Sequence, residues 1–181
     1  FKPSVLLVVP RVLEKVYNAA SSKAGGGIKG RMFAWSAKQA RTYSLASEKT
    51  FGPGPFKKIR HGIADALVLK KIRSVLGPNL RYIVSGGAPL ATDLAHFYAG
   101  MGITLIQGYG LSETTGPIAV QHIGKNPIGG VGLPLPGNFI TIAKDGEILV
   151  RGQSVMPGYY HLPEQTAEVM PDGKWFHTGD L

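Results

Sequence analysis

Apolar residues in this chain come in short clusters parted by Gly, Pro and charge, and the spacing inside each cluster predicts what it becomes. Leu6 to Val9 is a brief, β-branched-rich run, short enough for a buried strand. Pro10 suits the first turn of a helix over about residues 11–20, where its fixed φ fits and its missing N–H is not needed. Val12, Val16 and Ala20 recur every four residues along that helix. Residues 21–30, with Gly25-Gly26-Gly27, read as a flexible loop. Helix-forming composition resumes from Arg31 to about Lys49, with Phe33, Ala37 and Ala40 on one side, and the Gly/Pro cluster at 51–55 breaks it. The cleanest helical pattern covers Ile63 to Leu76. There Ile63, Leu67, Val68, Ile72, Val75 and Leu76 form an apolar stripe predicted to face a core, and Gly77-Pro78 ends it.

Further along, Leu80 to Val84 reads as a strand, Ala91 to Ala99 as a short helix, and Ile103 to Ile106 as a second strand. Helices alternating with short apolar strands predict a parallel sheet covered on both faces. From about residue 128 the texture changes, as Gly129, Gly130, Pro134, Pro136 and Gly137 punctuate shorter segments. Asp145-Gly146 between the runs 139–143 and 147–151 is a hairpin signal. The expected fold is α/β: a mostly parallel sheet flanked by helices over residues 1–127, then an antiparallel β portion over residues 128–181.

At 181 residues and 44% hydrophobic, the chain has material for one sizeable core. It has no cysteine, so disulfides, thiolate zinc sites and a cysteine nucleophile are excluded. No apolar run approaches the roughly 20 residues of a membrane span, and no signal peptide is read, so the expected location is the cytoplasm. Charge is lopsided: residues 1–81 hold 16 Lys/Arg against 3 Asp/Glu, and residues 82–181 hold 4 against 8. A basic half attracts an anionic lipid surface, nucleic acid or an anionic substrate, although a solvated surface is the plainer reading. Lys57, Lys58, Arg60, Lys70, Lys71 and Arg73 are the densest cluster. No groove-reading motif accompanies them, so nucleic acid is not an expected partner. Peripheral contact with the inner face of a membrane is the functional reading of the basic half, beside the plainer one of a solvated surface.

Residues 107–117 read Gln-Gly-Tyr-Gly-Leu-Ser-Glu-Thr-Thr-Gly-Pro. Glycines at a strand end let backbone approach a ligand closely. Tyr109 offers a flat face for a planar base, Ser112, Thr114 and Thr115 offer hydroxyls, and Glu113 is a hard oxygen ligand of the kind Mg²⁺ takes beside phosphates. A nucleotide pocket uses such a set. A Gly/Ser/Thr-rich surface loop has the same composition.

Four motifs in order decide between these. Ser85-Gly86-Gly87-Ala88-Pro89, the stretch from Gln107 to Pro117, the blocks Gly146 to Gly152 and Gly158-Tyr159-Tyr160 with Thr166, and Trp175 to Leu181 together resemble the AMP-forming acyl-activating enzymes. Val9 to Tyr17 resembles their long-chain fatty acyl-CoA synthetase branch. Ser112 stands where that family usually has Thr, which keeps the hydroxyl. The resemblance implies ATP, Mg²⁺ and coenzyme A as cofactor or co-substrates, a fatty acid as substrate, and a barrel-like antiparallel portion. It implies that Gly86, Gly87, Ala88 and Pro89 contact adenine, with Gln107 and Gly108 beside them. Tyr109 would stack on the base, Ser112 would bind the α-phosphate, Glu113 the Mg²⁺, and Asp180 the ribose. Ser112 and Glu113 would be the catalytic pair, and Gly108, Gly110 and Gly116 would leave room for the acyl carboxyl. Other adenylating enzymes, such as an aryl-CoA ligase, a luciferase-like enzyme or a peptide-synthetase domain, are the alternative, and a non-catalytic basic membrane-associating domain is another. The family's phosphate loop is expected upstream of residue 1 and its C-terminal lysine domain beyond Leu181, so the chain reads as an excised piece without ligase turnover of its own.

Overall fold

Val9 and Pro10 mark a switch from strand to helix, and the chain makes it there. Strand β1 (Val5–Val8) is followed directly by helix α1 (Pro10–Ala24), with Pro at its first position. The computed structural model describes residues 2–124 and 127–181. They form two units: Phe1–Gln107 with His122–Gly130, and Gly108–Gln121 with Val131–Leu181.

In the first unit the expected loop over 21–30 shrinks to Gly25 and Gly26, because α1 runs on to Ala24 and α2 (Gly27–Ser47) starts early. Gly25 sits at φ 65°, where glycine alone is comfortable, and its N–H closes α1 on the Ser21 and Ser22 carbonyls. The next helical run also begins early. Helix α3 (Pro55–Ala64) opens on a proline, a π-helical turn follows at Asp65–Leu69, and α4 (Lys70–Leu76) ends at Gly77.

The predicted stripe holds in half of its positions. Ile72 is buried and Val68 and Leu76 pack against the core, whereas Ile63, Leu67 and Val75 are exposed and Ala64 and Leu69 are buried instead. A π turn holds more residues than an α turn, so a stripe drawn at 3.6 residues per turn cannot keep one register on both sides of it. Arg73 straddles the turn: its guanidinium donates to both Asp65 carboxylate oxygens, at 2.6 and 3.1 Å, and to the Met101 carbonyl.

Helix α5 (Thr92–Gly100) packs on α2 through small residues. A Cβ at Gly100 would collide with the Ala40 backbone, and Ala37 and Ala40 are buried alongside. Phe97 and Tyr98 are fully buried, and the Tyr98 hydroxyl donates to the Leu13 carbonyl at 2.8 Å. Burial pushes the Tyr98 phenol well above its ordinary range. Strands β1, β2 (Tyr82–Ser85) and the first half of β3 (Thr104–Leu111) pair in parallel, with Val8 beside Ser85 and Ser85 beside Gln107. Leu6, Val8 and Ile83 turn toward the helical core. The opposite face of β1 is open, with Val5 and Leu7 exposed, so the expectation of cover on both faces does not hold there.

The second unit holds the rest of β3, then β4 (Gly116–Val120) and β5 (Leu133–Pro134), paired antiparallel, and a separate antiparallel sheet of β6 (Asn138–Ile142), β7 (Ile148–Gly152) and β8 (Phe176–His177). The Asp145-Gly146 turn joins β6 to β7 as predicted, with Gly146 at φ 97°. Helix α6 (Pro163–Val169) lies between β7 and β8 in sequence. Arg151 reaches over both Phe139 and Trp175, 5.0 and 5.1 Å from the ring centres, and packs the outer side of the sheet.

Two parts of the expected fold are corrected. Strand pairing is mixed, parallel through β1-β2-β3 and antiparallel from β3 to β5, rather than mostly parallel. The β portion is also not barrel-like: β6-β7-β8 is open, and no sheet curls closed. Closure needs edge strands long enough to pair with each other. Edge strands β5 and β8 are two residues each. Among the described residues no helix is long and apolar enough to cross a membrane.

Candidate functional site

The strand expected at Ile103–Ile106 runs on to Leu111, so the first half of the glycine-rich motif is strand rather than loop. Glycine makes this possible. A Cβ at Gly110 would collide with the Gly116 carbonyl, and without one β4 lies close against β3. The ladder slips by a bulge between Tyr109 and Gly110, a device that re-aims a side chain.

Ser112–Thr114 then forms a single 3₁₀ turn, and Thr115 enters the left-handed region at φ 55° before Gly116 at φ 101°. The three hydroxyls of the motif divide their work. Thr114 is buried; its Oγ1 accepts the Leu111 N–H at 2.8 Å and lies 2.8 Å from the Gly116 carbonyl and 3.0 Å from that of Leu111, one of which takes its proton. Thr115 donates to the Ser154 carbonyl at 2.8 Å. Ser112 is exposed, and of the three it is the one whose hydroxyl makes no hydrogen bond among the described residues. The turn is also tied down from below, since the Met156 N–H donates to the Glu113 carbonyl at 2.7 Å.

Two tyrosine–carboxylate pairs flank this turn. The half-buried Tyr109 donates its hydroxyl to Asp180 Oδ2 at 2.7 Å, joining residues 71 apart in the chain. Removal from water pushes the Tyr109 phenol up to about 12, and the bond and charge of Asp180 add to this while a bond with Thr178 partly offsets it. Tyr159 donates to Glu113 Oε1 at 3.0 Å, and its phenol is raised by partial burial and then by the carboxylate. Asp180 itself is exposed, and backbone holds it: the Ile148 N–H donates to the Asp180 carbonyl at 2.9 Å, and the Asp180 N–H to Thr178 Oγ1 at 3.1 Å.

The residues singled out in the sequence fall into two sets. Gly108, Tyr109, Gly110, Ser112, Glu113, Gly116 and Asp180 all belong to the second unit, where Tyr109 and Asp180 touch. Gly86, Gly87, Ala88, Pro89 and Gln107 belong to the first. There the turn leaves β2 directly after Ser85, whose strand partner is the buried Gln107, and Gly87 takes φ 77°. A shallow hollow of about 560 Å³ beside Tyr159, over Tyr160, His161 and Thr166, contains none of Tyr109, Glu113 or Asp180. Sequence reasoning missed the roles of Thr114 and Tyr159. Both lay inside quoted motifs, but a hydrogen bond to a residue 46 positions away leaves no mark on spacing.

Comparison with known proteins adds to this geometry. Residues 1–160 match the family described as AMP-binding enzyme. Over all 181 residues the chain is 50% identical to Long-chain-fatty-acid–CoA ligase FadD15 of Mycobacterium bovis, and it covers 30% of that protein. It is 34% identical to Long chain acyl-CoA synthetase 3 of Arabidopsis thaliana, with 99% of this chain and 28% of the other aligned. The chain therefore spans a little under a third of the length of these relatives. Among solved structures it is similar to a Mycobacterium tuberculosis fatty acyl CoA synthetase, at 26% identity and a TM-score of 0.50 over 62% of this chain and 26% of that one. A benzoate CoA ligase from Burkholderia xenovorans shares the fold over 98% of this chain and 28% of its own, at a TM-score of 0.58 and 17% identity.

Proposed function

This chain belongs to the AMP-binding enzyme family, and from that premise we propose that it is part of a long-chain fatty acid–CoA ligase. The reaction runs in two steps. A fatty acid carboxylate oxygen bonds to the α-phosphorus of ATP as the bond to the bridging oxygen breaks and pyrophosphate leaves. The thiol of coenzyme A then loses its proton, bonds to the acyl carbon, and AMP departs. A protein accelerates such transfers by alignment and by neutralising charge.

The observation that carries the reading is the 2.7 Å bond between Tyr109 and Asp180. It holds a flat aromatic face and an exposed carboxylate side by side, as a base and a ribose require. Asp180 keeps acceptor capacity for ribose hydroxyls, Tyr109 presents its ring to adenine, and Ser112 donates to the α-phosphate. The Gly86–Pro89 turn is assigned to the adenine by its motif alone. Gly108, Gly110 and Gly116 are assigned to the acyl carboxyl on the same basis.

The donor chemistry fits Mg²⁺ in one form. Among the described residues there is no cluster of three or more acidic or histidine ligands. Glu113 would hold the ion through its carboxylate, with phosphate and water oxygens completing the shell, the usual arrangement for this hard cation. When bound, Mg²⁺ supplies positive charge to the phosphate oxygens. Tyr159 holds the Glu113 side chain in place.

Substrate class is tested by AMP and pyrophosphate release from the full-length protein across carboxylic acids. Palmitate-dependent release that needs ATP and coenzyme A is expected. Preference for an aryl or amino acid overturns the long-chain assignment.

A second feature supports contact with a lipid surface. Phe56, Ile59, Ile63 and Leu67 are exposed along α3 and the turn after it, and Lys57, Lys58, Arg60, Lys70 and Lys71 are exposed around them. Apolar residues ringed by cations suit an anionic membrane carrying the substrate. Salt-sensitive sedimentation of the full-length protein with anionic but not neutral vesicles is the expected result, and equal binding to both sinks it.

A further inference from the structure

The ladder that holds the last segment of the chain stops early. Strand β8 pairs with β7 only through Leu149 beside His177 and Val150 beside Phe176. Beyond His177 the segment that carries Asp180 is held by two backbone bonds to Ile148, at 3.3 Å from the Thr178 N–H and at 2.9 Å to the Asp180 carbonyl, and by side chains. Glu147, at the foot of β7, is the one charged side chain among these and holds two points of the segment. One of its carboxylate oxygens accepts the Gly179 N–H at 2.8 Å, and the other lies 2.8 Å from His177 Nδ1. Thr178, between those two anchors, donates its hydroxyl to the Ile148 carbonyl at 2.7 Å. Gly179 takes φ 73°, a turn open to glycine, and delivers Asp180 to the Tyr109 hydroxyl.

The placement is specific. The Glu147 side chain is only 18% exposed, and each of its oxygens has its own partner. Hydrogen bonds to an ionised carboxylate are among the stronger ones available. Asp180, by contrast, is exposed: its side chain meets the Tyr109 hydroxyl at 2.7 Å, and its carbonyl takes the Ile148 N–H at 2.9 Å. The angle at which it approaches depends on the turn just before it, where Glu147 holds Gly179.

We propose that Glu147 is a positioning residue for the nucleotide ribose: it touches no substrate, and it fixes the 177–180 turn so that Asp180 meets the ribose hydroxyls. This rests on the assignment of Asp180 to the ribose made above. Glu147 then governs selectivity for an intact ribose rather than stability alone, a difference that can be measured.

The experiment compares kcat/KM for ATP and for 3′-deoxy-ATP in the full-length protein and in Glu147→Ala, Asp180→Ala and the double variant. The parent is expected to prefer ATP by about tenfold, the scale of one lost bond to a charged group. That preference should fall to within about twofold in E147A and in D180A, with KM for palmitate unchanged. The double variant should be no worse than D180A, because Glu147 acts through Asp180. Glu147→Gln keeps an acceptor for Gly179 and should recover part of the preference, and it carries the same test should E147A not fold. If E147A or E147Q loses activity while keeping the full preference for ATP, or if the two losses multiply, the role of Glu147 is overturned. If D180A itself keeps the preference, the ribose assignment falls first.

Discussion

Phe97 and Glu113 are held in opposite ways, and the contrast separates the two units. Phe97 is fully buried in a core to which five helices and the first strands contribute, and what holds it is exclusion from water and close packing. Glu113 is half-buried in a unit whose buried apolar residues are Ile118, Ala119, Val150 and Phe176, four of the 21 among the described residues. What holds it is a tyrosine hydroxyl and a backbone amide. Hydrophobic burial is non-directional and forgiving, so it makes a scaffold. Hydrogen bonds are directional, and they set the angle and reach of the groups that meet a ligand. The first unit should therefore answer to loss of volume, and the second to loss of a single polar atom.

The largest expected effect tests the scaffold. Phe97→Ala should cost about 3–5 kcal/mol in chemical denaturation, since it empties a fully buried site. Glu113→Gln should leave the denaturation midpoint nearly unchanged yet reduce ligase turnover of the full-length protein by about a hundredfold, measured as AMP release, the scale of one lost electrostatic contact at a reacting centre. If that variant is instead as destabilised as Phe97→Ala, the contrast between the units breaks.

Thr114→Val keeps the shape and removes the hydroxyl that takes the Leu111 N–H. A cost of about 1–3 kcal/mol is expected from that stranded donor, together with loss of nucleotide binding as the turn loosens. Tyr109→Phe should be smallest, at about tenfold in KM for ATP, because the ring that stacks on adenine remains.

The same bond has a pH signature. The native Tyr109 phenol keeps its proton up to about 12, where the unfolded chain begins to lose it near 10.0. Its stabilising contribution is full below pH 10 and fades as pH rises through about 12. Phenolate absorbance on alkaline titration should show one late-ionising tyrosine fewer in Tyr109→Phe, and loss of a tyrosine that ionises near 10.0 instead would mean that the phenol is neither shielded from water nor bonded to Asp180 in solution.

Local rules reached a good part of this. Pro10 placed the start of α1, Gly77 the end of α4, and Asp145-Gly146 the β6-β7 turn, because each depends on the φ of one or two residues. Of the predicted stripe on residues 63–76, Val68, Ile72 and Leu76 face the core, and Ile63, Leu67 and Val75 do not, because a π turn, bridged by Arg73 and Asp65, changes the period without changing composition. The end of β3 was misplaced because Gly108 and Gly110 look like a loop until β4 is seen against them. Tyr109, Glu113 and Asp180 were singled out by residue type and motif, and nothing in the spacing paired 109 with 180 or 113 with 159.

Sequence alone determined the start of α1 at Pro10, the end of α4 at Gly77 and the β6-β7 turn, the lopsided charge, the absence of cysteine chemistry, and the residue types available to a nucleotide. Tertiary structure decided which apolar face is buried, whether strands run parallel or close, and which carboxylate each tyrosine and amide serves. The reason is distance along the chain: φ preferences act within a few residues, whereas Tyr109 and Asp180, or Glu147 and Gly179, become neighbours only after intervening segments have folded.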